Sequence, residues 1–190
     1  MRTVIGLDFD GPIHDIDRLK GLLAFQLYKL QIEGHLLNSD IVRAGKVPIT
    51  MDQYREIQKL AYSDDTDVLA MMQPTPYVIE GIHQLLDRNH RIVILTARQE
   101  TALAVAKDKL RQWGFNLDFY GIGYGVSKRE TIEELRLSGY VDDDLEVLEK
   151  VRGVATPLYL FHPHIASPYQ DIKQVPNWPC LLAELFVSLE

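Results

Sequence analysis

Short apolar segments and amphipathic helical patterns alternate along much of the chain. Residues 4–7 form the first apolar segment, which only Gly6 interrupts, and residues 91–95 form the second. Consecutive apolar residues over about four to eight positions are typical of strands buried on both faces of a sheet. Weaker segments of the same kind predict further strands at 117–121, 139–141 and 157–161.

Helical periodicity fills the intervals between these strands. Apolar side chains recur at every third or fourth position in the segments 78–86, 103–113, 128–135, 145–151 and 181–189. Strands that alternate with helices at this spacing are joined by crossovers and lie parallel in one sheet. The pattern therefore predicts an α/β fold with a three-layer, Rossmann-like parallel sheet.

The stretch after the first strand shows helical patterns without a convincing strand. A helix is predicted at about 16–33, with Gly34 at its end. The segments predicted to follow it are a connection at 38–48, a helix capped by Thr50 and a short helix at 64–72. The sequence therefore predicts a helical insertion at 15–72 and a core domain formed by 1–14 and 73–190.

The composition limits the kinds of ligand to expect. The 190 residues carry a net charge of −7, whereas a non-specific hold on nucleic acid needs a surplus of Lys and Arg. We therefore expect a small soluble ligand and no nucleic-acid partner. No apolar leader follows Met1 and no apolar run approaches a membrane span, so we expect a cytoplasmic location without membrane contact. Cys180 has apolar neighbours and is predicted to be a buried small hydrophobe, without a disulfide or a thiol metal site.

Two carboxylates follow the first strand directly. Asp8 and Asp10 precede Gly11 and Pro12, which end the strand. Because alternate residues of an extended chain point the same way, each carboxylate raises the cost of ionising the other. The pair is either a set of ordinary turn residues or an acid/base pair or cation site. The rest of the chain decides between these interpretations.

Polar side chains also follow the later predicted strands. Thr96 follows the second strand, Lys128 begins a helix, and Asp142 and Asp143 follow a short apolar strand. The carboxyl ends of parallel strands meet at one edge of a sheet, where loops and helix N-termini surround a crevice. We therefore expect these four side chains to converge with the two carboxylates of the first strand.

These residue types suit phosphoryl transfer to a carboxylate nucleophile. A carboxylate that approaches a phosphate dianion meets a repulsion of about 8 kcal/mol at about 4 Å and an effective dielectric constant near 20. Carboxylates from two strands form an oxygen-rich site for Mg²⁺, and Lys128 supplies a further positive charge. The Thr96 hydroxyl and the next backbone N–H can donate to phosphoryl oxygens, while a second carboxyl group can exchange protons with the leaving group and water.

The ordered motifs resemble those of the haloacid dehalogenase (HAD) superfamily. The matching segments are Asp8-Phe9-Asp10-Gly11, Leu95-Thr96-Ala97-Arg98, Lys128 before a helix, and Val141-Asp142-Asp143. The resemblance implies a HAD-like core, with the insertion after the first motif as a helical cap that closes over the site. An acid at the position of Asp10 also implies a phosphatase and not a dehalogenase.

The resemblance further implies a role for each matching residue. Asp8 is then the nucleophile that forms an aspartyl-phosphate, and Asp10 is the general acid/base. The implied phosphate-binding residues are Thr96, Ala97, Lys128 and Arg98. The implied Mg²⁺ ligands are Asp8, Asp10 through its backbone carbonyl, and Asp142 or Asp143.

Within the superfamily, the sequence is most similar to the 5'(3')-deoxyribonucleotidase group. The shared features are the Thr-Ala-Arg form of the second motif, the strand Tyr159-Leu160-Phe161 and a small helical cap. His162 stands where that group carries an acid, and Gly11-Pro12-Ile13 departs from the usual first motif. The expected substrate is therefore a small phosphorylated metabolite, with nucleoside monophosphates as one candidate. The alternatives are a phosphatase for nucleic-acid ends and a catalytically silent binding module on the same fold.

Several other residues have more than one interpretation. Arg98 either binds phosphate or braces Asp142, and Asp144 is expected to cap a helix. His14 either faces the substrate or is simply a polar residue where the insertion begins. The residues expected to be structural are His162 and His164 in a solvated loop and the aromatic side chains Phe25, Tyr28 and Tyr54 in the core of the insertion.

Overall fold

A six-stranded parallel sheet is the centre of the structure. The computed structural model describes residues 3–155 and 157–189. Its strands are β1 (Val4–Leu7), β2 (Arg91–Thr96), β3 (Asp118–Gly121), β4 (Gly139–Asp142), β5 (Leu158–Phe161) and β6 (Ile172–Val175). They pair in the order β3-β2-β1-β4-β5-β6, and every pair is parallel. The predicted α/β fold is confirmed, and the strands end at one edge of the sheet.

Strand β1 lies between β2 and β4 and is buried on both faces. Leu7 pairs with Ile94 on one side and with Val141 on the other. Gly6 interrupts the apolar run because its neighbours leave no room for a side chain. A Cβ atom there would lie 2.3 Å from Cδ1 of Leu137 and 2.9 Å from Cδ2 of Tyr140. The absence of a side chain at Gly6 therefore leaves space for the Tyr140 ring.

Nine α-helices accompany the sheet in the described part of the chain. They are α1 (Ile16–Tyr28), α2 (Ser39–Arg43), α3 (Met51–Ala61), α4 (Thr66–Ala70), α5 (Val78–Asp87), α6 (Glu100–Gln112), α7 (Arg129–Leu135), α8 (Leu145–Lys150) and α9 (Trp178–Leu189). The chain divides into two compact units, Met1–His14 with Pro74–Glu190 and Asp15–Gln73. Among the described helices, none has the length and apolar character needed to cross a membrane.

In the unit that holds the sheet, Trp178 joins helix α9 to the loop after β1. The side chain is fully buried, and its Nε1–H donates to the carbonyl oxygen of Pro12 at 2.7 Å. Helix α5 meets the same ring at Gly81, where a Cβ atom would lie only 2.1 Å from Cε3 of Trp178. A glycine at this position therefore allows helix α5 to pack directly on the indole.

The unit 15–73 contains helices α1 to α4. Asp15 caps α1 by accepting the backbone N–H of Arg18, and Thr50 and Gln53 form a reciprocal capping box at the start of α3. Helices α1 and α3 pack together, and the hydroxyl of Tyr28 donates to the carboxylate of Glu56. The predicted cap of helix α3 by Thr50 is confirmed.

The first helix of this unit is shorter than its sequence pattern predicts. Helix α1 ends at Tyr28 because Lys29 adopts the left-handed conformation, and Gly34 begins a separate turn of 3-10 helix. A Cβ atom at Gly34 would lie 1.6 Å from the carbonyl oxygen of Asp17, so this glycine allows a close approach of two backbone segments. The segment predicted as a connection at 38–48 contains the short helix α2.

Strand β6 and the environment of Cys180 differ from the predictions. Strand β6 has only four residues, and its two central side chains are the polar Lys173 and Gln174, so no apolar run marks it. The last helix begins at Trp178, three residues before its predicted start. Cys180 is exposed because α9 turns Trp178 and Leu181 inward and leaves the cysteine on the solvent side.

Candidate active site

The predicted site residues meet at the carboxyl edge of strands β1, β2 and β4. Asp8 follows β1 directly, and its backbone N–H donates to the carbonyl of Val141 in β4 at 2.8 Å, which places Asp8 beside Asp142. Thr96 ends β2, and Lys128 stands immediately before helix α7. The polar side chains of this edge that are buried are Asp8, Asp10, His14, Thr96, Arg98, Lys128 and Asp142.

The loop after β1 is a tight turn that fixes both of its carboxylates. The carbonyl of Phe9 accepts the backbone N–H groups of Ile13 and His14, and Gly11 adopts a φ of 89°. A Cβ atom on Gly11 would lie 2.5 Å from Cγ of Asp143. Gly11 is therefore required twice, for its backbone conformation and for the space that Asp143 occupies.

Lys128 connects the first and last acidic motifs. Its Nζ donates to Oδ1 of Asp8 at 2.7 Å and to Oδ2 of Asp142 at 2.8 Å. Although burial alone would lower it, the charges of Asp142 and Asp8 hold the pKa of Lys128 well above its ordinary value. Lys128 is therefore a fixed positive charge beside the Asp8 carboxylate.

Ionisation of the Asp8 carboxylate is unfavourable in this arrangement. Burial raises its pKa to about 7, against the opposing charge of Lys128, and the carboxylates of Asp142 and Asp10 raise it further. An additional positive charge next to Asp8 would favour the ionised form, which is the nucleophilic one.

The Asp10 carboxylate is held by Arg98 and His14. The guanidinium donates from Nε to Oδ2 at 2.9 Å and from Nη2 to Oδ1 at 2.8 Å. His14 Nδ1 lies 2.9 Å from the same Oδ1 atom. Burial alone would raise the pKa of Asp10, but Arg98 and then His14 hold it below its ordinary value. Arg98 therefore holds Asp10 through two hydrogen bonds, and its alternative roles in phosphate binding and in bracing Asp142 stay predictions.

The second motif contributes a hydroxyl and a turn. Thr96 is buried, its Oγ1 accepts the backbone N–H of Arg98 at 3.2 Å, and its carbonyl accepts the N–H of Ile122. Ala97 follows in the exposed part of the same turn. These contacts place Thr96 and Ala97 on the edge that carries Asp8.

Three carboxylates form the group best suited to a cation. One oxygen from each of Asp8, Asp142 and Asp143 lies within 4.8 Å of the other two. Asp144 is separate, because its side chain accepts the N–H of Glu146 and caps helix α8 as expected. The carboxylate of Asp10 is directed to Arg98 and His14, so its backbone carbonyl as a ligand stays a prediction.

The charge of the site agrees with a divalent cation. Asp8, Asp10, Asp142 and Asp143 supply four carboxylates against the ammonium of Lys128 and the guanidinium of Arg98, which leaves two negative charges. Mg²⁺ prefers such hard oxygen ligands and usually takes one or two carboxylates, with water and substrate oxygens around the rest of the ion. The donor set therefore fits Mg²⁺.

Tyr140 is a site residue that the sequence interpretation missed. Its hydroxyl donates to Oδ2 of Asp142 at 2.6 Å and accepts from Nζ of Lys128 at 2.7 Å. The other oxygen of Asp142 accepts the backbone N–H of Asp144 at 3.0 Å. A tyrosine within an apolar strand resembles any core residue, and only its position two residues before Asp142, on the same side of the strand, signals this role.

The other histidines and aromatic residues have structural environments. Nδ1 of His162 accepts the backbone N–H groups of His164 and Ile165, which shapes the loop after β5, and His164 is exposed. Tyr28 and Tyr54 are half-buried in their own unit. Phe25 is 48% exposed, so the expectation that it packs in the core of the insertion is wrong.

Solved structures of similar fold include haloacid dehalogenase-like hydrolases. One is a haloacid dehalogenase-like family hydrolase from Streptococcus pneumoniae, with a TM-score of 0.60 and 14% identity over 100% of this chain and 99% of that one. CbbY from Rhodobacter sphaeroides, solved in complex with phosphate, has a TM-score of 0.56 and 13% identity over 97% and 96%. A predicted phosphoglycolate phosphatase from Haemophilus somnus has a TM-score of 0.55 and 11% identity over 96% and 97%.

These likenesses show a HAD-like fold along the whole chain. No protein-family model matches the sequence, and no curated protein matches it.

Proposed function

We propose that this protein is a Mg²⁺-dependent phosphomonoesterase that acts through an aspartyl-phosphate on Asp8. The observation that carries the proposal is the position of Lys128, which donates to both Asp8 and Asp142 and so joins the first and last motifs in one buried site. The fold shared with a predicted phosphoglycolate phosphatase, and with CbbY solved in complex with phosphate, supports the phosphatase class.

The first half of the reaction begins with attack by Asp8. One carboxylate oxygen of Asp8 forms a bond to phosphorus while the bond between phosphorus and the leaving oxygen breaks. The Lys128 ammonium, 2.7 Å from Oδ1 of Asp8, orients the nucleophile and offsets part of the repulsion between two anions. Thr96 and the N–H groups of its turn are proposed to donate to phosphoryl oxygens.

Asp10 is proposed to move protons in both halves of the reaction. In its protonated form it gives a proton to the departing alkoxide, and in its ionised form it takes a proton from the water that attacks the aspartyl-phosphate. The bond between phosphorus and Asp8 then breaks and inorganic phosphate leaves. The ionised form is the one that Arg98 favours, so Asp10 is ready as a base, and a shift of Arg98 from Asp10 to a phosphoryl oxygen would favour the protonated form.

Asp8, Asp142 and Asp143 would hold the magnesium ion. When bound there, Mg²⁺ supplies a positive charge for the phosphoryl oxygens and stabilises the ionised nucleophile. The backbone carbonyl of Asp10 is proposed as a further ligand.

The proposed substrate is a small phosphorylated metabolite, and nucleoside monophosphates are the first class to test. The net charge of −7 favours such a compound over the end of a nucleic-acid strand. The helical unit 15–73 is proposed to act as a cap that selects the organic part of the substrate.

A phosphate-release screen tests the proposal. Sugar phosphates, amino-acid phosphates, nucleoside monophosphates and a 5'-phosphorylated oligonucleotide are incubated with the protein, with Mg²⁺ or with EDTA. We expect Mg²⁺-dependent release from a small monoester, at least 10³-fold weaker in Asp8→Asn, since one essential group of the reaction is lost. Asp118→Asn, an exposed acid on β3 that pairs with Arg91, is the matched control and should retain activity.

The outcomes separate the candidate functions. Release from the oligonucleotide alone would favour a phosphatase for nucleic-acid ends. No release from any compound would favour a silent binding module, and full activity of Asp8→Asn would refute Asp8 as the nucleophile.

A further inference from the structure

His14 is a fully buried histidine that the reaction described above does not use. Its backbone N–H donates to the carbonyl of Phe9 and its carbonyl accepts the N–H of Gly11, so the residue belongs to the tight turn after β1. Its ring stacks on the ring of Phe9, with centroids 5.8 Å apart and planes inclined by 29°. Backbone hydrogen bonds hold the main chain of His14 in place, and stacking on Phe9 holds its imidazole ring.

The two ring nitrogens of His14 have different surroundings. Nδ1 lies 2.9 Å from Oδ1 of Asp10, whereas Nε2 is buried and has no hydrogen-bond partner among the described residues. A buried polar atom without a partner costs about 1–3 kcal/mol. An apolar side chain would avoid this cost, so the contact with Asp10 is the reason that the structure offers for a histidine at this position.

Two side chains, Arg98 and His14, contact the Asp10 carboxylate, and they differ in what else they can bind. Arg98 occupies both carboxylate oxygens through its fork, the geometry that also suits a phosphoryl group. His14 contacts only Oδ1, and its ring has no freedom to turn because it is packed on Phe9 in the turn. If Arg98 exchanges Asp10 for a phosphoryl oxygen, His14 is the contact that remains on Asp10.

We infer that His14 is a positioning residue for Asp10, which holds the acid/base carboxylate in place when Arg98 turns to the phosphoryl group. The inference rests on the proposed phosphatase reaction, and it assigns to His14 a role in proton transfer without contact with the substrate. His14 acts through the Nδ1–H hydrogen bond to Oδ1, because an ionised carboxylate can only accept.

Three variants of His14 test this role. His14→Asn can keep a side-chain N–H near the place of Nδ1, and His14→Phe keeps the stacking on Phe9 but loses the hydrogen bond. His14→Gln offers a longer amide that does not match Nδ1. The control is His83→Phe, the same change at an exposed histidine whose ring lies 4.8 Å from that of Phe115, centroid to centroid.

The readout is the dependence of the rate on the leaving group. 4-Nitrophenyl phosphate releases a stable phenolate that needs little protonation, whereas 4-nitrobenzyl phosphate releases an alkoxide that needs a proton from Asp10. General acid–base catalysis contributes about 10²–10⁴-fold, and imperfect positioning forfeits part of it. We expect His14→Phe to lose about tenfold more kcat/KM with the benzyl than with the phenyl ester, with little change in KM.

His14→Asn should recover most of this loss, and His14→Gln and His83→Phe calibrate the effect of a misplaced amide and of a remote change. An equal loss of kcat/KM with both esters in His14→Phe would show a merely structural residue and would overturn the inference.

Crystal structures soaked with inorganic phosphate give a second test that does not depend on turnover. The inference predicts that Asp10 keeps its position in the wild type and moves in His14→Phe. An unmoved Asp10 in His14→Phe would overturn the inference. If the wild type releases no phosphate from any ester, the proposed function fails, and this structural comparison still decides whether His14 holds Asp10 in place.

Discussion

At the level of single residues, the Asp8 carboxylate is balanced between its two protonation states near neutral pH. Its pKa is about 7 in the folded protein and 3.8 as the ordinary value. The folded protein therefore binds an extra proton between these values, and stability that is present at lower pH is lost as the pH rises through the folded pKa.

This titration makes a prediction for stability in the absence of metal. Asp8→Asn does not titrate at this position. The free energy of unfolding of Asp8→Asn relative to that of the wild type should therefore increase as the pH rises from about 5 to about 8, by on the order of 1 kcal/mol or more. Urea unfolding in EDTA at several pH values measures the difference. Asp118→Asn is the control, and a difference between Asp8→Asn and wild type that does not change with pH would contradict the prediction.

The acidic cluster makes a prediction about metal affinity. Asp143 offers an oxygen to the cluster, whereas Asp144 uses its carboxylate to cap helix α8. We expect Asp143→Asn to weaken Mg²⁺ binding by about tenfold or more, since each ligand of the ion carries charge as well as geometry. Asp144→Asn should leave the affinity unchanged, because asparagine also caps helices well.

Titration calorimetry with MgCl₂ measures both affinities. Equal Mg²⁺ affinity in the wild type and Asp143→Asn would remove Asp143 from the ligand set and leave Asp142 as the acid that its motif contributes.

At the level of elements, strand β4 joins the interior of the sheet to the site. Tyr140 lies beside Gly6 of β1 in the register of the two strands, and its hydroxyl reaches both Asp142 and Lys128. A glycine that weakens β1 locally therefore makes room for a ring that orients a candidate metal ligand.

Two substitutions test this connection. Tyr140→Phe keeps the ring and loses the hydroxyl, so we expect a near-native fold, with kcat/KM or Mg²⁺ affinity lower by about 10–100-fold. Gly6→Ala forces a methyl group against the Tyr140 ring and should cost about 1–3 kcal/mol of stability as well as activity. Gly139→Ala is the matched control within the sheet, because its nearest neighbour lies at an ordinary 3.5 Å.

Urea unfolding and phosphate release measure the two effects. Wild-type activity and Mg²⁺ affinity in Tyr140→Phe would show that the hydroxyl only completes the hydrogen bonding of Asp142 and Lys128 and does not contribute to function.

The sequence predicts the strands that continuous apolar runs mark and the residues that stand at their ends. It does not predict β6, because Lys173 and Gln174 break the apolar pattern in a strand of only four residues. The bond between Arg98 and Asp10 joins residues 88 positions apart, and its geometry depends on side-chain directions that a single sequence does not contain. Tyr140 is missed for a related reason. The apolar pattern of β4 predicts that its ring is buried, but the pattern does not predict that its hydroxyl contacts Asp142 and Lys128.

At the level of the whole molecule, helix α9 is bonded to the loop that carries Asp10. Trp178 of α9 donates to the carbonyl of Pro12, which lies in the turn between Asp10 and His14. The contact links residues 166 positions apart, so helix α9 contributes to the shape of the site.

Trp178→Phe tests this link. The change removes the donor and leaves the buried carbonyl of Pro12 without it, at a cost of about 1–3 kcal/mol. We expect lower stability in urea unfolding and a lower kcat for phosphate release, because the turn that carries Asp10 loses a support. Trp113→Phe, at the half-buried end of helix α6, is the control. A kcat equal to that of the wild type in Trp178→Phe would show that the hydrogen bond between Trp178 and Pro12 contributes to stability alone.

The central place of β1 also determines the order in which the protein can be assembled. Gly6 precedes its two partners in the sheet, Val93 and Tyr140, by many residues and is therefore synthesised well before them. Contacts so distant along the chain must close long loops before they become favourable, which makes folding slow. The strand that precedes the proposed nucleophile therefore stays unpaired until β2 and β4 have been synthesised, and the nascent chain at this stage is a natural client for a chaperone.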